Sequence, residues 1–301
     1  MTSGSPELFV PAITPFAEDM SVDHDRLVAH DKALMAAGAR TLAPFATASE
    51  ANSLSGADRV AALETLIEAG IPADALIQKR VCCAVPGTIA LSAHAADPGC
   101  RGVLMLPPFY VKGVHGGGVF AAFAEVIEAV GSDRLDVYLD HIPQMAGVPI
   151  SMDLIERLVT AYPGTIRGLK DKSGKWTHSR AVIGTVPDID AYSASGSRIV
   201  DNAAAGGAGH DSASAKVTPG GIRRLIDALG TAAEAACRAQ VSRLRSILEG
   251  LALIPAIKAA VARQHGDPGF ARLRPPVVAP GPEHADTIAR AVNIAAGRVP
   301  A

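Results

Sequence analysis

The chain is poor in aromatic residues, and it lacks the cysteine pairs and long apolar runs that mark several classes of protein. Aromatic residues make up 4% of its 301 residues, and Trp occurs once. The four cysteines include no CxxC pair, which favours free thiols in a reducing cytoplasm. No apolar stretch of bilayer length is free of charge, and the first residues lack the basic and apolar regions of a signal peptide. We therefore expect a cytoplasmic protein without a membrane span.

The chain also lacks an excess of charge of either sign. Its 28 Lys and Arg residues face 30 Asp and Glu residues, which gives a formal net charge of −2. Such a balance supplies no bulk attraction to nucleic acid or to an anionic membrane, so we expect neither partner. The hydrophobic fraction of 49% is too high for a disordered chain. A large globular domain is predicted.

Eight short apolar runs recur over the first 220 residues, with amphipathic helical patterns between most of them. Runs that are apolar on both faces and joined by helices are typical of a parallel sheet. Their number and regular spacing favour a closed (β/α)8 TIM barrel over an open sheet, for which no dinucleotide-binding glycine pattern is found. We predict an α/β barrel over residues 1–220 and a C-terminal helical segment over 221–301. The predicted strands span residues 8–13, 41–45, 76–85, 102–106, 135–139, 166–169, 190–194 and 208–212.

Helix starts are marked by side chains that can accept hydrogen bonds from free backbone N–H groups. Asp23, Ser55 and Ser151 each precede a helical pattern, and Asp58 completes a capping box with Ser55. The three glycines at 116–118 follow no strand directly, so we interpret them as a surface turn rather than a phosphate-binding loop.

Candidate site residues are those at the carboxyl ends of the predicted strands, where barrel enzymes place their chemistry. Lys170 is the most informative, because a lysine at the end of an interior strand cannot easily reach water. It is either half of a buried ion pair or an amine nucleophile that forms an imine with a carbonyl substrate, and both interpretations stay open here. The other strand-end candidates are Thr47, Ala48, Lys79, Arg80, Tyr110, Asp140, His210 and Asp211.

No metal or cofactor site is predicted. His141 and His210 could bind a metal with Asp140 or Asp211, but no third histidine or cysteine stands at a suitable spacing.

Several ordered motifs resemble those of the dihydrodipicolinate synthase/N-acetylneuraminate lyase family. Residues 168–174, GLKDKSG, resemble the family motif G-[IL]-K-D-S-S-G. Residues 46–50 stand where the family has G-T-T-G-E, and 139–143, LDHIP, where it has L-Y-N-I-P. Residues 106–110 resemble its P-P-Y-Y segment, and 274–276 resemble its C-terminal R-P-P.

The resemblance implies a class I aldolase or related lyase that needs no cofactor. Lys170 would form a Schiff base with pyruvate or another 2-oxo acid, and the protonated imine would accept electrons as a C–C bond breaks. Thr47 would help to bind the substrate carboxylate, with Ala48 beside it. Tyr110 would relay protons across a subunit interface, and the assembly would be a homo-oligomer, a dimer or a tetramer.

The departures from the family concentrate where the pocket should lie. Asp140 replaces the phenol of L-Y-N-I-P, Ala48 replaces the second threonine of G-T-T-G-E, and the arginine expected after L-Y-N-I-P is absent, with Gln144 and Met145 there instead. This pattern leaves an alternative function open, a diverged or engineered barrel with a rebuilt site and different or lost catalysis. Further departures are Lys79, Arg80, His210, Asp211 and Lys216.

The charges of Asp140 and Lys170 bear on the choice between a Schiff-base lyase and a barrel with altered or lost catalysis. Asp140 and Lys170 end neighbouring strands, so we expect the Lys170 ammonium within reach of Asp140, which would raise its pKa and oppose imine formation. Asp140 would otherwise act as a general base in place of the missing phenol. Pairing of Asp140 with Lys79, Arg80 or Lys216 in the absence of an open cleft would favour a barrel without catalysis.

Overall fold

The computed structural model describes residues 5–80, 82–131 and 133–298, and these contain eight β-strands. Each predicted strand segment overlaps one of them, although most of the strands are shorter than predicted. The strands are β1 (Glu7–Val10), β2 (Thr41–Leu42), β3 (Ile77–Arg80), β4 (Gly102–Met105), β5 (Val137–His141), β6 (Ile166–Asp171), β7 (Asp190–Ser193) and β8 (Gly209–Asp211).

The strands form one parallel sheet that closes on itself. Their order is β2-β1-β8-β7-β6-β5-β4-β3, and a parallel bridge between Leu42 and Leu76 joins its two ends. Neighbouring strands are also neighbours in sequence, with helical connections between them, as right-handed β-α-β crossovers require. The predicted (β/α)8 barrel is confirmed.

Twelve α-helices lie within the described ranges. They are α1 (His24–Ala36), α2 (Gly56–Glu68), α3 (Val85–Ala96), α4 (Gly116–Val130), α5 (Pro143–Ala146), α6 (Met152–Ala161), α7 (Trp176–Thr185), α8 (Ile199–Ala204), α9 (Pro219–Asp227), α10 (Glu234–Glu249), α11 (Leu253–His265) and α12 (Ala285–Ala295). None of these helices combines the length and the apolar character needed to cross a bilayer.

The predicted caps begin three of these helices. The Asp23 side chain accepts a hydrogen bond from the Arg26 backbone, Ser151 accepts one from Leu154, and Ser55 forms the full capping box with Asp58. The surface turn predicted at 116–118 is wrong, because these glycines form the first turn of α4. The His115 side chain accepts from the Gly117 backbone there, and this cap offsets the low helix propensity of glycine.

The barrel interior is built in layers because alternate strand residues point inward. A lower layer holds three of the chain's few aromatic rings, with the Phe9 and Tyr192 rings stacked at 4.3 Å and the Tyr138 ring edge-on to both. Two residues further along their strands, Lys79 and Asp140 follow Ile77 and Tyr138. The aromatic layer thus forms an apolar floor beneath a layer of charged side chains.

The C-terminal helices build a second apolar core beside the barrel. Helix α9 still packs on the barrel core, through Ile222, Leu225 and Ile226. Helices α10, α11 and α12 contribute most of the second core, which also takes in Ile13 and Val217 from the barrel. The division of the chain at residue 220 stays a prediction.

Candidate active site

Lys170 lies on β6 inside the barrel and pairs with Asp211 on β8. Its ammonium is 2.7 Å from Asp211 Oδ2, and the residue is only 6% exposed. Burial alone would lower the pKa of Lys170, but the carboxylates of Asp211 and Asp140 outweigh it and raise that pKa above its ordinary value. The free protein therefore holds Lys170 as an ammonium ion.

Asp140 raises the pKa of Lys170 as predicted, but its ion pair is made with Lys79, the alternative partner, rather than with Lys170. Asp140 and Lys170 are directly opposed in the register of β5 and β6, as predicted. However, Asp140 Oδ2 forms its ion pair with Lys79 Nζ of β3, at 2.5 Å. The long side chain of Lys79 reaches past the intervening strand β4, so the charge of Asp140 is paired by a residue two strands away rather than by its neighbour.

Lys79 also contacts the residue expected to bind the substrate carboxylate. Its ammonium donates a hydrogen bond to Thr47 Oγ1 at 2.8 Å. Because that hydroxyl oxygen is accepting, its own hydrogen remains available to a ligand. Burial lowers the pKa of Lys79 to about 8, although Asp140 opposes this shift. Lys79 is therefore closer than Lys170 to losing its proton near neutral pH.

The loop that carries Thr47 and Ala48 is held by the C-terminal helices. Glu50 ends a short turn in the left-handed region, at φ 59°, and is buried. Its carboxylate accepts from Lys258 Nζ of α11 at 2.6 Å and from the Arg274 backbone N–H at 3.0 Å. Sequence reasoning missed Lys258, because its contacts lie far away along the chain.

An open cleft adjoins the buried lysines. A chamber of about 20 Å³ is lined by Thr47, Ala48, Lys79, Lys170 and Asp211, room for about one water molecule. An outer cavity of about 370 Å³ shares Lys172 and Ala194 with it. Asp140 is thus paired with Lys79, as a barrel without catalysis would require, but the absence of a cleft, the other half of that condition, is not met.

The remaining predicted residues lie at different distances from this chamber. His210 is buried with its Nδ1 3.0 Å from Ser193 Oγ, and burial lowers its pKa to about 3. Tyr110 is 83% exposed, and its backbone N–H donates to Cys83 Sγ. Arg80 ends β3, but its side chain lies outside the described residues.

Lys216 is a third buried lysine near the barrel centre. It is 1% exposed, and among the described residues its ammonium nitrogen has no hydrogen-bond partner. Burial lowers the pKa of Lys216 well below its ordinary value, with Asp211 opposing the shift. The position of this amine makes it the natural control when Lys170 is tested as a nucleophile.

One group of three metal-capable side chains occurs among the described residues, His141, Asp171 and His178. His178 Nδ1 lies 2.9 Å from Asp171 Oδ2, and its Nε2 lies 3.2 Å from the Ile150 carbonyl. Both of its nitrogens thus have acceptors, as a charged imidazole requires, and hydrogen bonding to Asp171 raises the pKa of His178. This hydrogen-bonded arrangement braces the end of β6 beside Lys170 rather than offering ligands to a metal.

Comparison with known proteins agrees with this geometry. The sequence pattern of the Dihydrodipicolinate synthetase family matches residues 5–295. An uncharacterized DapA-like lyase of Chloroflexus aurantiacus is 34% identical over 251 residues, which cover 83% of each chain. The crystal structure of dihydrodipicolinate synthase from Agrobacterium tumefaciens is 28% identical, with a TM-score of 0.87 over 95% of this chain and 98% of that one.

A catalytic-lysine mutant of sialic acid aldolase from Ruminococcus gnavus has the same fold, with a TM-score of 0.88 at 14% identity over 98% of this chain and 96% of that one. The family expected from the motifs is therefore confirmed, and a lyase of this family is favoured over different or lost catalysis on a rebuilt barrel. This chain belongs to the Dihydrodipicolinate synthetase family.

Proposed function

We propose that this lyase uses Lys170 as its Schiff-base nucleophile and a 2-oxo acid such as pyruvate as its substrate. The observation that carries the proposal is the position of the Lys170 amine. It is buried at the carboxyl end of β6, 2.7 Å from the Asp211 carboxylate, and it lines a chamber that shares Lys172 and Ala194 with the outer cavity. The same chamber is lined by four other predicted residues, Thr47, Ala48, Lys79 and Asp211.

The steps follow from these contacts. Asp211 takes a proton from the Lys170 ammonium, a transfer that the raised pKa of Lys170 opposes, and the neutral amine attacks the substrate carbonyl carbon to give a carbinolamine. The carbinolamine hydroxyl leaves as water with the proton that Asp211 returns, so a protonated imine forms. When a C–C bond of the substrate breaks, the hydroxyl on the departing carbon gives its proton to Asp211, that fragment leaves as an aldehyde, and the electron pair of the bond moves towards this imine and yields an enamine. Protonation of the enamine and hydrolysis then release the 2-oxo acid and Lys170.

The substrate carboxylate is placed in this proposal against the loop that carries Thr47. The Thr47 hydroxyl hydrogen and the Ala48 backbone N–H are the donors, and the Lys79 ammonium adds a positive charge beside them. Asp140 acts through Lys79, which it holds in place, so we regard it as a positioning residue. Charge-assisted hydrogen bonds of this kind are the strong ones in a dry site.

Borohydride trapping tests the nucleophile. The parent protein, incubated with pyruvate and borohydride, should carry a reduced pyruvate adduct that peptide mass mapping places on Lys170. Lys170→Met should lose the adduct, whereas Lys216→Met and the surface variant Lys32→Met should keep it. An adduct on Lys79 or Lys216, or none in the parent, would contradict the proposal.

We also propose a homo-oligomer, a dimer or a tetramer, in which Tyr110 enters the site of a neighbouring subunit. Tyr110 and Val111 follow β4 and are 83% and 63% exposed, unusual for two consecutive large side chains. Sedimentation of the parent at micromolar concentration should give at least twice the chain mass, and Tyr110→Asp should shift the equilibrium towards monomer. A monomeric parent would sink this proposal.

We also propose that the protein is located in the cytoplasm. All four cysteines, Cys82, Cys83, Cys100 and Cys237, are free thiols. Free thiols persist in a reducing compartment.

A further inference from the structure

The outer cavity carries more positive charge than its own carboxylates neutralise. Four cationic side chains line it, and two of them are paired, Arg198 with Asp201 at 2.8 Å and Arg245 with Glu249 at 2.5 Å. Lys172 and Lys175 form no ion pair with any carboxylate of the described residues. The cavity therefore holds unpaired positive charge in the free protein.

Lys172 stands where that charge meets the reaction chamber. It follows β6 directly, its backbone N–H donates to the His141 carbonyl at 2.9 Å, and it lines both the chamber and the outer cavity. Burial lowers the pKa of Lys172 and the charges of Lys170 and Arg245 lower it further, while Asp140 and Asp211 oppose the shift. Cations crowded in this way repel one another, so an anion bound among them would be strongly stabilised.

Arg245 lines the same outer cavity but comes from a different part of the chain. It lies on α10, its side chain is 17% exposed, and its Cδ would lie 3.4 Å from a Cβ added at Gly196. The arginine expected after the L-Y-N-I-P segment is absent, and Lys172 stands where the G-[IL]-K-D-S-S-G motif has serine. Positive charge beyond the chamber thus comes from Lys172 after β6 and from Arg245 of α10, and not from an arginine after β5.

We infer that the substrate carries a second anionic group, a carboxylate or a phosphate, distal to its 2-oxo acid, and that Lys172 and Arg245 bind it. The inference rests on the proposed function, because it takes the 2-oxo carbon to be bonded to Lys170. The outer cavity has the volume for a chain of several carbons beyond that carbon. The hydroxyls of Ser195 and Ser197, 2.8 Å apart at its wall, offer further donors.

A matched pair of probes tests the distal charge. 2-Oxohexanoate and 2-oxoadipate have six carbons each and differ in the terminal carboxylate, and a 2-oxohexanoate bearing a 6-phosphate supplies the other anion. Half-maximal borohydride trapping in the parent should need about tenfold less of at least one anionic probe than of 2-oxohexanoate, because a charge-assisted hydrogen bond is worth about that factor. Whichever anionic probe is favoured identifies the group.

Lys172→Met should reduce this preference to about twofold, while the surface variant Lys32→Met keeps it. Equal trapping of charged and uncharged probes by the parent would overturn the inference and leave Lys170 chemistry intact. If pyruvate is not trapped at all, the proposed function fails, and calorimetric titration with inorganic phosphate then decides the anion site. Binding by the parent that weakens about tenfold in Lys172→Met would support it, and equal or absent binding would overturn it.

Discussion

At the scale of single residues, two buried ion pairs share one layer of the barrel interior but place their lysines in different states. Lys170 with Asp211 has a raised pKa, whereas Lys79 with Asp140 has a pKa lowered to about 8. Removing one partner of either pair costs more free energy than the intact pair contributes to stability. The reason is that the remaining charge is left buried without water. The layer is therefore sensitive to single substitutions.

A double-mutant cycle measures the coupling of Lys79 to Asp140. Lys79→Met and Asp140→Asn should each lower the free energy of unfolding by about 3 kcal/mol, because each leaves a fully buried charge. The double variant should lose less than the sum by at least about 1 kcal/mol. Urea unfolding provides the measurement. Strictly additive losses would show that the two side chains are not coupled in solution.

The residues in this layer could be predicted from the sequence better than their partners could. Lys170 and Asp140 end predicted strands, and alternation along a strand fixes that they face inward. The choice of Asp211 and Lys79 as partners depends on how long side chains cross the barrel, which no local pattern encodes. For the same reason, the sequence did not indicate Lys172 as a residue that binds an anion.

At the scale of elements, the end of β6 is fixed to the start of α7 by a short polar network. Asp171 accepts from His178 Nδ1 at 2.9 Å and from Ser179 Oγ at 2.7 Å, and the His141 ring stacks on His178 at 4.3 Å. Burial alone would raise the pKa of Asp171, but these hydrogen bonds lower it to about 2. Because Lys170 precedes Asp171, the network also fixes the proposed nucleophile.

This network predicts a pH window for stability. The pKa of His178 is raised in the folded state, so its contribution is complete below about pH 6.5 and is lost as pH rises through the raised value. The pKa of Asp171 is lowered, so its contribution is present above about pH 4 and is lost as pH falls towards 2. The pair should stabilise the fold most between these limits.

His178→Gln tests the upper limit, because glutamine can still donate to Asp171 but carries no charge. The difference in unfolding free energy between parent and variant should shrink by about 1 kcal/mol from pH 6 to pH 9. His284→Gln, at an exposed pair with Glu283, should leave the parent profile unchanged. A difference that stays constant with pH would mean that His178 is uncharged.

At the scale of the whole molecule, the C-terminal helices support the barrel loop that carries Thr47. Lys258 donates to Glu50 at 2.6 Å and to the Thr14 carbonyl at 2.8 Å, and both Lys258 and Glu50 are buried. Arg274 adds hydrogen bonds to the Ser53 carbonyl and to Asp58. The segment after the barrel is thus part of the wall that holds Thr47.

Lys258→Met should therefore affect both folding and binding. Loss of the ammonium leaves the Glu50 carboxylate buried without its cation, so the free energy of unfolding should fall by about 3 kcal/mol. Half-maximal pyruvate trapping should need several-fold more pyruvate, because the Thr47 loop loses its support. Arg272→Met, at an exposed pair with Glu18, is the matched control and should change stability by less than about 1 kcal/mol. Equal effects of the two variants would contradict this role.

The whole fold was more predictable than this long-range support. Eight apolar runs with helices between them are enough to indicate a closed parallel barrel, because the pattern repeats locally along the chain. The contact of Glu50 with Lys258 joins residues 208 positions apart and has no local signature. The R-P-P resemblance at 274–276 marked the segment without showing what Arg274 contacts.

That separation has a consequence for the newly made chain. Glu50 leaves the ribosome 208 residues before Lys258, an interval of about 10–40 s at ordinary rates of synthesis. Throughout that interval Glu50 lacks its cation, even when most of the barrel strands have emerged. A nascent chain that ends before α11 therefore has an unsupported Thr47 loop, and the pocket is complete only after α11 has been synthesised.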